Sequence, residues 1–327
     1  MSAYQTEKFK LSAGPCAADG YWVTIQGGMF YNSQGTGFPV PGGHTLEGDW
    51  GASGTSWVVG DEMQTVPERL KILWFSYAED KFYEGDFALP QEKLYHLLQA
   101  GTWDIKEQKK VTYTEFTVCV LPKGVVVVWL TGGNKVLVGR FLAHEIIPSP
   151  ADYQRYYGPA ERTSMVKETQ AEMPPEVQAQ IKAGTISTKK WDDYLLTYPW
   201  QVAFNVPFPL YRFNLTGLNA ERFTAPLTQD LAPYRQFITT PTPKPVPRKL
   251  YLYGTAEHGG HYVVRVRELD KTETQAAFQA LHRLSPASPI TLLFTLDKPF
   301  QKATLTLKNE AKEIPLTKSK IEVLSED

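Results

Sequence analysis

Residues 70–89 read Leu70-Lys-Ile-Leu-Trp-Phe-Ser-Tyr-Ala-Glu-Asp-Lys-Phe-Tyr-Glu-Gly-Asp-Phe-Ala-Leu89. Leu70, Ile72 and Trp74 alternate along one strand, Ala78 to Lys81 makes a polar turn, and Tyr83 to Leu89 returns as a second strand. A period of two puts one face of such a hairpin in a core. Pro90, Gln91 and Glu92 suit a first helical turn, Leu94, Leu97 and Leu98 repeat at helical spacing, and Gly101 ends the run. Hairpin followed by helix is therefore the unit from which the fold is read.

Downstream, Thr112 to Leu121 and Val125 to Thr131 are β-branched runs joined by Pro122-Lys-Gly, and Val136 to Phe141 follows the turn at Gly132 to Asn134. Upstream, Tyr21 to Ile25 is a short strand, and a glycine-rich loop region occupies 27–60. Residues 149–190 turn polar and proline-bearing, with a helical stretch at Glu176 to Lys182, and read as a linker with helical segments.

After the linker the order of elements restarts. Pro247 to Tyr253 is a strand, Glu257-His-Gly-Gly a turn, Tyr262 to Val266 the return, and Asp270 to Leu284 a helix with Ala277, Phe278 and Leu281 on one side. Ile290 to Leu296, Ala303 to Leu307 and Ile321 to Leu324 supply the later strands. Setting Pro67 against Pro247 pairs Leu70 with Leu250, Leu89 with Leu269, Gln99 with Gln279 and Ala100 with Ala280. The returning strands are out of phase by one residue, Tyr83 and Phe87 matching Tyr262 and Val266, as a hairpin turn changed by one residue would produce. The expectation is a β-rich α+β protein of two similar domains, 1–148 and 191–327, each with a mainly antiparallel sheet and a short packed helix, arising by internal duplication.

Composition excludes several function classes. Lys plus Arg (34) almost cancels Asp plus Glu (35), and no basic run interleaves with aromatics, so no nucleic-acid groove is expected. The longest apolar run, at Val125 to Thr131, is far short of the roughly 18–20 residues that cross a bilayer as a helix. No catalytic residue, cofactor or metal is expected. The Gly51-Ala-Ser-Gly-Thr-Ser56 stretch reads as turn chemistry and not a nucleophile elbow, and Glu257 to His261 reads as a hairpin tip and not a zinc site. Two cysteines, Cys16 and Cys119, fit either a bridge or two buried thiols.

The stretches Arg69-Leu-Lys-Ile-Leu-Trp-Phe-Ser and Phe82-Tyr-Glu-Gly-Asp-Phe-Ala-Leu-Pro carry a resemblance, with Pro174-Pro-Glu-Val-Gln, Gly184-Thr-Ile-Ser, Trp191-Asp-Asp-Tyr and Tyr198-Pro-Trp. From about Tyr21 to its end the chain resembles a bacterial family of predicted lipoproteins carried as a domain of unknown function. Its members look similar to immunity proteins encoded beside type VI secretion effectors, in particular lipase effectors acting from the periplasm. The resemblance implies a non-enzymatic inhibitor that grips one toxin, one to one, and occludes its active site or its membrane-facing lid.

It also implies a periplasmic location, with the cytoplasm as the alternative. No apolar leader precedes Cys16, so a lipid anchor would require a precursor form. Long loops on a rigid scaffold place the contacts in 27–60 and at the two hairpin tips. The expected partner-binding residues are Trp50, Trp57, Asp80, Lys81, His258 and His261. The rival readings are an envelope structural protein and an unrecognised hydrolase.

Overall fold

The computed structural model describes residues 3–54, 63–158, 161–226, 232–257 and 259–326, the side chains of 232–235 excepted. The chain is β-rich, with strand about twice as abundant as helix and the sheets mostly antiparallel. It divides into two compact units, 1–102 with 110–190, and 103–109 with 191–327.

In the first unit, strands Ser12–Ala17, Glu115–Val120, Val125–Thr131 and Lys135–Leu142 lie side by side in that order. The first pair is parallel and the others antiparallel. A second sheet runs Gly37–Pro39, Val23–Tyr31, Arg69–Ser76, Lys81–Ala88 and His144–Ile146, antiparallel throughout. Leu70, Ile72 and Trp74 point into a core shared with Ile25, Phe30, Phe116, Val118, Val126 and Val128. Helix Gln91–Ala100 closes that core with Leu94 and Leu98. The strand 12–17 was not evident from sequence, because Ser, Ala, Gly and Pro are poor strand formers and its long-range parallel partner holds it extended.

The polar stretch expected as a linker forms helices Pro150–Tyr157, Arg162–Glu172 and Pro175–Ala183, all within the first unit. The first is held by Tyr153 against Phe82 and Tyr157 against Phe75, and the other two by a narrow buried stripe of Val166, Met173 and Val177. Gln170 Nε2 donates to Tyr77 O (2.8 Å), and Tyr21 Oη donates to Gln180 Oε1 (2.5 Å). Their remaining surface faces water, which explains the polar composition. Ser149 caps the first helix, and Glu161 caps the second by accepting from Thr163 N and Ser164 N; the Ser164 side chain first, and these backbone bonds next, hold its carboxyl down to about 2.

Strand for strand, the pairing of the second unit follows that of the first. Thr197–Phe204 lies parallel to Ile290–Leu296, which continues antiparallel into Ala303–Lys308 and Glu313–Leu316. Arg222–Pro226, Leu210–Gly217, Pro247–Thr255, His261–Val266 and Ile321–Ser325 form the antiparallel partner sheet. Helix Lys271–Leu284, capped by Asp270 Oδ1 on Glu273 N (2.7 Å), follows its hairpin as Gln91–Ala100 follows the hairpin of the first unit. The one-residue step is visible in the registers: Trp74 faces Tyr83, and Gly254 faces Tyr262.

Candidate functional site

Val125–Thr131 in the first unit is buried along nearly its whole length, so both faces of this strand are covered. Val126, Val128 and Leu130 fill the inner core. On the outer face Trp129 packs edge-on against Trp50, their ring centroids 5.0 Å apart. Covering this apolar face is the physical task of the glycine-rich loop, and it takes Trp50 out of solvent, with only 9% of its surface exposed.

The loop is clamped along 45–54. Thr45 and Leu46 pair with Thr24 and Val23, Gly20 N donates to Glu47 O (2.9 Å), and Ala17 N donates to Gly48 O (3.0 Å). Asp19 Oδ1 accepts from Trp50 N at 3.0 Å. The buried Lys135 Nζ donates to Gly51 O, and Ser53 Oγ donates to Glu115 Oε1 (2.6 Å). Gly51 sits at φ 71°, a conformation glycine adopts without Cβ strain. On this fixed backbone Glu47 and Asp49 are exposed. Beside them a cleft of about 310 Å³ is lined by Pro15, Cys16, His44, Asp49 and Ala52.

The turn at Ala18 to Tyr21 joins this loop to the helices. A Cβ on Gly20 would meet Pro174 Cγ at 3.0 Å, so glycine allows the close approach. Beyond it, helices Arg162–Glu172 and Pro175–Ala183 border an open groove of about 490 Å³ with Ala171, Pro175 and Ile181 along it and Lys167 and Lys182 at its rim. The first unit thus presents an acidic loop and a basic-rimmed groove connected through one turn.

The hairpin-tip residues expected to contact a partner are engaged within the unit. Arg162 Nε meets Asp80 Oδ1 at 2.6 Å and its guanidinium lies over Phe75 and Phe82. Lys81 Nζ meets Glu145 Oε2 at 2.6 Å, a bond that raises the lysine's pKa. Behind them the Glu79 carboxylate, its side chain 3% exposed, accepts from Ser76 Oγ (3.2 Å), Tyr83 Oη (3.2 Å) and Lys123 N (3.0 Å). Burial first and Glu79 second push the Tyr83 phenol up. His261, in the second unit, is exposed, with Nδ1 3.3 Å from Thr255 Oγ1 and its ring edge-on to Tyr211. Trp57 and His258 lie outside the described residues.

Sequence reasoning singled out the loop but missed Glu47, Asp49 and the helical groove. The available signal was the apolar run Val125 to Leu130, which demands cover on both faces and therefore a docked segment.

Fold and site together define a β-rich scaffold of two like-paired units, one of which carries a clamped surface loop. The chain belongs to the family described as protein of unknown function (DUF2931), whose model matches residues 2–188. That match ends beside the boundary of the first unit. No curated protein and no solved structure matches the chain.

Proposed function

We propose that the chain is an immunity protein that binds one cognate antibacterial toxin, a lipase effector of the type VI secretion system, in the periplasm and neutralises it by covering its active site. The observation that carries this reading is the loop 45–54, which holds exposed Glu47 and Asp49 on a backbone anchored by Asp19, Lys135 and Glu115. A loop ordered before binding loses little conformational entropy on association, which favours high affinity from a modest surface. The adjoining groove with Lys167 and Lys182 adds charge of opposite sign, which supports orientation of one partner. The fit of the family to the first unit supports placing the contacts there.

The test is recovery of a partner from cells expressing the genomic neighbours, followed by titration of the recovered lipase. Inhibition complete at one equivalent is expected. A neighbouring lipase that neither binds nor loses activity would contradict the reading.

We also infer that the two units descend from one duplicated unit. The shared pairing scheme, the equivalent helices and the single-residue hairpin step support it. Superposition of the two units in a crystal of the full chain is expected to keep Leu70 on Leu250 and Tyr83 on Tyr262. A register that breaks those pairs would overturn the inference.

A further inference from the structure

Beneath the clamped loop lie both cysteines of the chain. Ser12–Ala17 runs parallel to Glu115–Val120 with Cys16 directly opposite Cys119. Neighbouring strands lie about 4.7–4.9 Å apart, and a disulfide spans Cα separations of about 4.4–6.8 Å. In-register residues of a parallel pair project to the same face, and the Cys119 and Cys16 thiols are hydrogen-bonded to each other. Both are free thiols, 1% and 0% exposed. They differ in access, because Cys16 lines the cleft beside His44 and Asp49, whereas Cys119 sits deeper, close to Gly51.

We propose that Cys16 and Cys119 are a redox-active dithiol, oxidised to an intrachain disulfide by a small disulfide-bearing oxidant that enters through the cleft. The Cys16 thiolate attacks one sulfur of the oxidant R–S–S–R, forming a mixed disulfide and expelling one thiolate. Cys119 then attacks the Cys16 sulfur, the Cys16–Cys119 bond forms and the second thiolate leaves. The two cysteines give up two electrons and two protons, and the oxidant carries both away as two RSH molecules. Burial first and the neighbouring Cys16 second push the Cys119 thiol up, so its attack on the mixed disulfide quickens with rising pH.

The consequence is mechanical. Strand 12–17 ends its sheet, held there by one neighbour. Ala17 N and Gly20 N, just beyond Cys16, carry the loop carbonyls of Gly48 and Glu47. Closing the pair fastens strand and loop to Glu115–Val120, and reducing it leaves them to hydrogen bonds. The proposal stands apart from the identity of the partner.

The full-length native chain, reduced and desalted, is incubated with oxidised glutathione at about pH 8.5, near the thiol's reference pKa. It is then unfolded, alkylated and analysed by mass spectrometry. The expected product is a chain lighter by two hydrogens, resistant to alkylation until reduced, with the peptides of Cys16 and Cys119 linked. Cys119→Ser is expected to retain glutathione on Cys16. The proposal is overturned if both native thiols remain alkylatable while the unfolded chain oxidises. It is equally overturned if the wild type stops at glutathione adducts or links between chains.

Discussion

The two units share a pairing scheme and differ in what covers it. In the second unit Ile290–Leu296 and Ala303–Lys308 alternate between buried and more exposed positions, with Leu305 and Leu307 inside and Thr304 and Thr306 on the other face. The corresponding strands of the first unit, Glu115–Val120 and Val125–Thr131, are buried on both faces beneath Trp50 and Gly51. Between the short strands Gly37–Pro39 and Met63–Thr65 the first unit carries the glycine-rich loop. Between Arg222–Pro226 and Thr242–Pro245 the second carries the short helix Ala232–Thr239. One pairing scheme with two fillings of the same connection teaches that the core and the surface above it are separable, and that this part of the surface is set by one connection.

The sharpest contrast lies on the two outer faces. Trp129→Ala removes a fully buried indole and the support of Trp50, and is expected to cost about 3–5 kcal/mol. Thr306→Ala, on the corresponding face of the second unit, should stay within about 0.5 kcal/mol. Urea denaturation followed by tryptophan fluorescence compares them, and equal losses would remove the distinction.

A second contrast concerns buried polar positions. Gln64 faces Phe9 in the first unit, and Lys244 faces Tyr198 in the second. Lys244 is fully buried, its amine over Trp200 (5.0 Å) and Phe237 (5.4 Å), with Thr240 O (2.7 Å) and Thr242 O (3.0 Å) accepting from it. Burial lowers its pKa to about 7. The unfolded chain protonates this amine below about 10.4 while the folded chain does so only near 7. Its contribution is therefore full above the unfolded value, shrinks as pH falls toward 7, and is constant below. Raising pH from about 7 to about 9 should stabilise the wild type by roughly 2 kcal/mol through this group. Lys244→Met should abolish that slope in chemical denaturation, and an unchanged slope would show that another group titrates.

The smallest contrast is between the hairpin tips. Arg162→Ala, which frees Asp80 and uncovers Phe75 and Phe82, should cost about 1–2 kcal/mol. Asp80→Asn keeps the ring contacts and should cost less than about 1 kcal/mol, since the carboxylate is half exposed. Thermal denaturation of both variants checks the order, and a reversed order would place the strength in the ion pair.

Much of the scaffold was legible because it is locally encoded. The alternation at Leu70, Ile72 and Trp74, the leucines of the following helix and even the slip between Phe87 and Val266 follow from period and turn length. Hidden were the features set by distant partners. Strand 12–17 is specified by its neighbour more than 100 positions away, and the juxtaposition of Cys16 with Cys119 comes with it. The segment 150–183 reads as a linker with helical pieces because its packing rests on a few tyrosines against Phe75 and Phe82 and a thin stripe around Val166, Met173 and Val177. For the candidate site, sequence pointed to the loop 27–60, but composition could not tell that Trp50 turns inward while Glu47 and Asp49 turn outward.

The central claim is that the clamped loop of the first unit grips the toxin. The direct measurement is titration of the cognate lipase with the wild-type chain and with a Glu47→Lys/Asp49→Lys double variant. The account predicts inhibition at one equivalent by the wild type and at least about a hundredfold weaker inhibition by the variant, the scale on which charged contacts act in tight complexes, with an unchanged melting temperature. A stably folded double variant that inhibits as well as the wild type would contradict it.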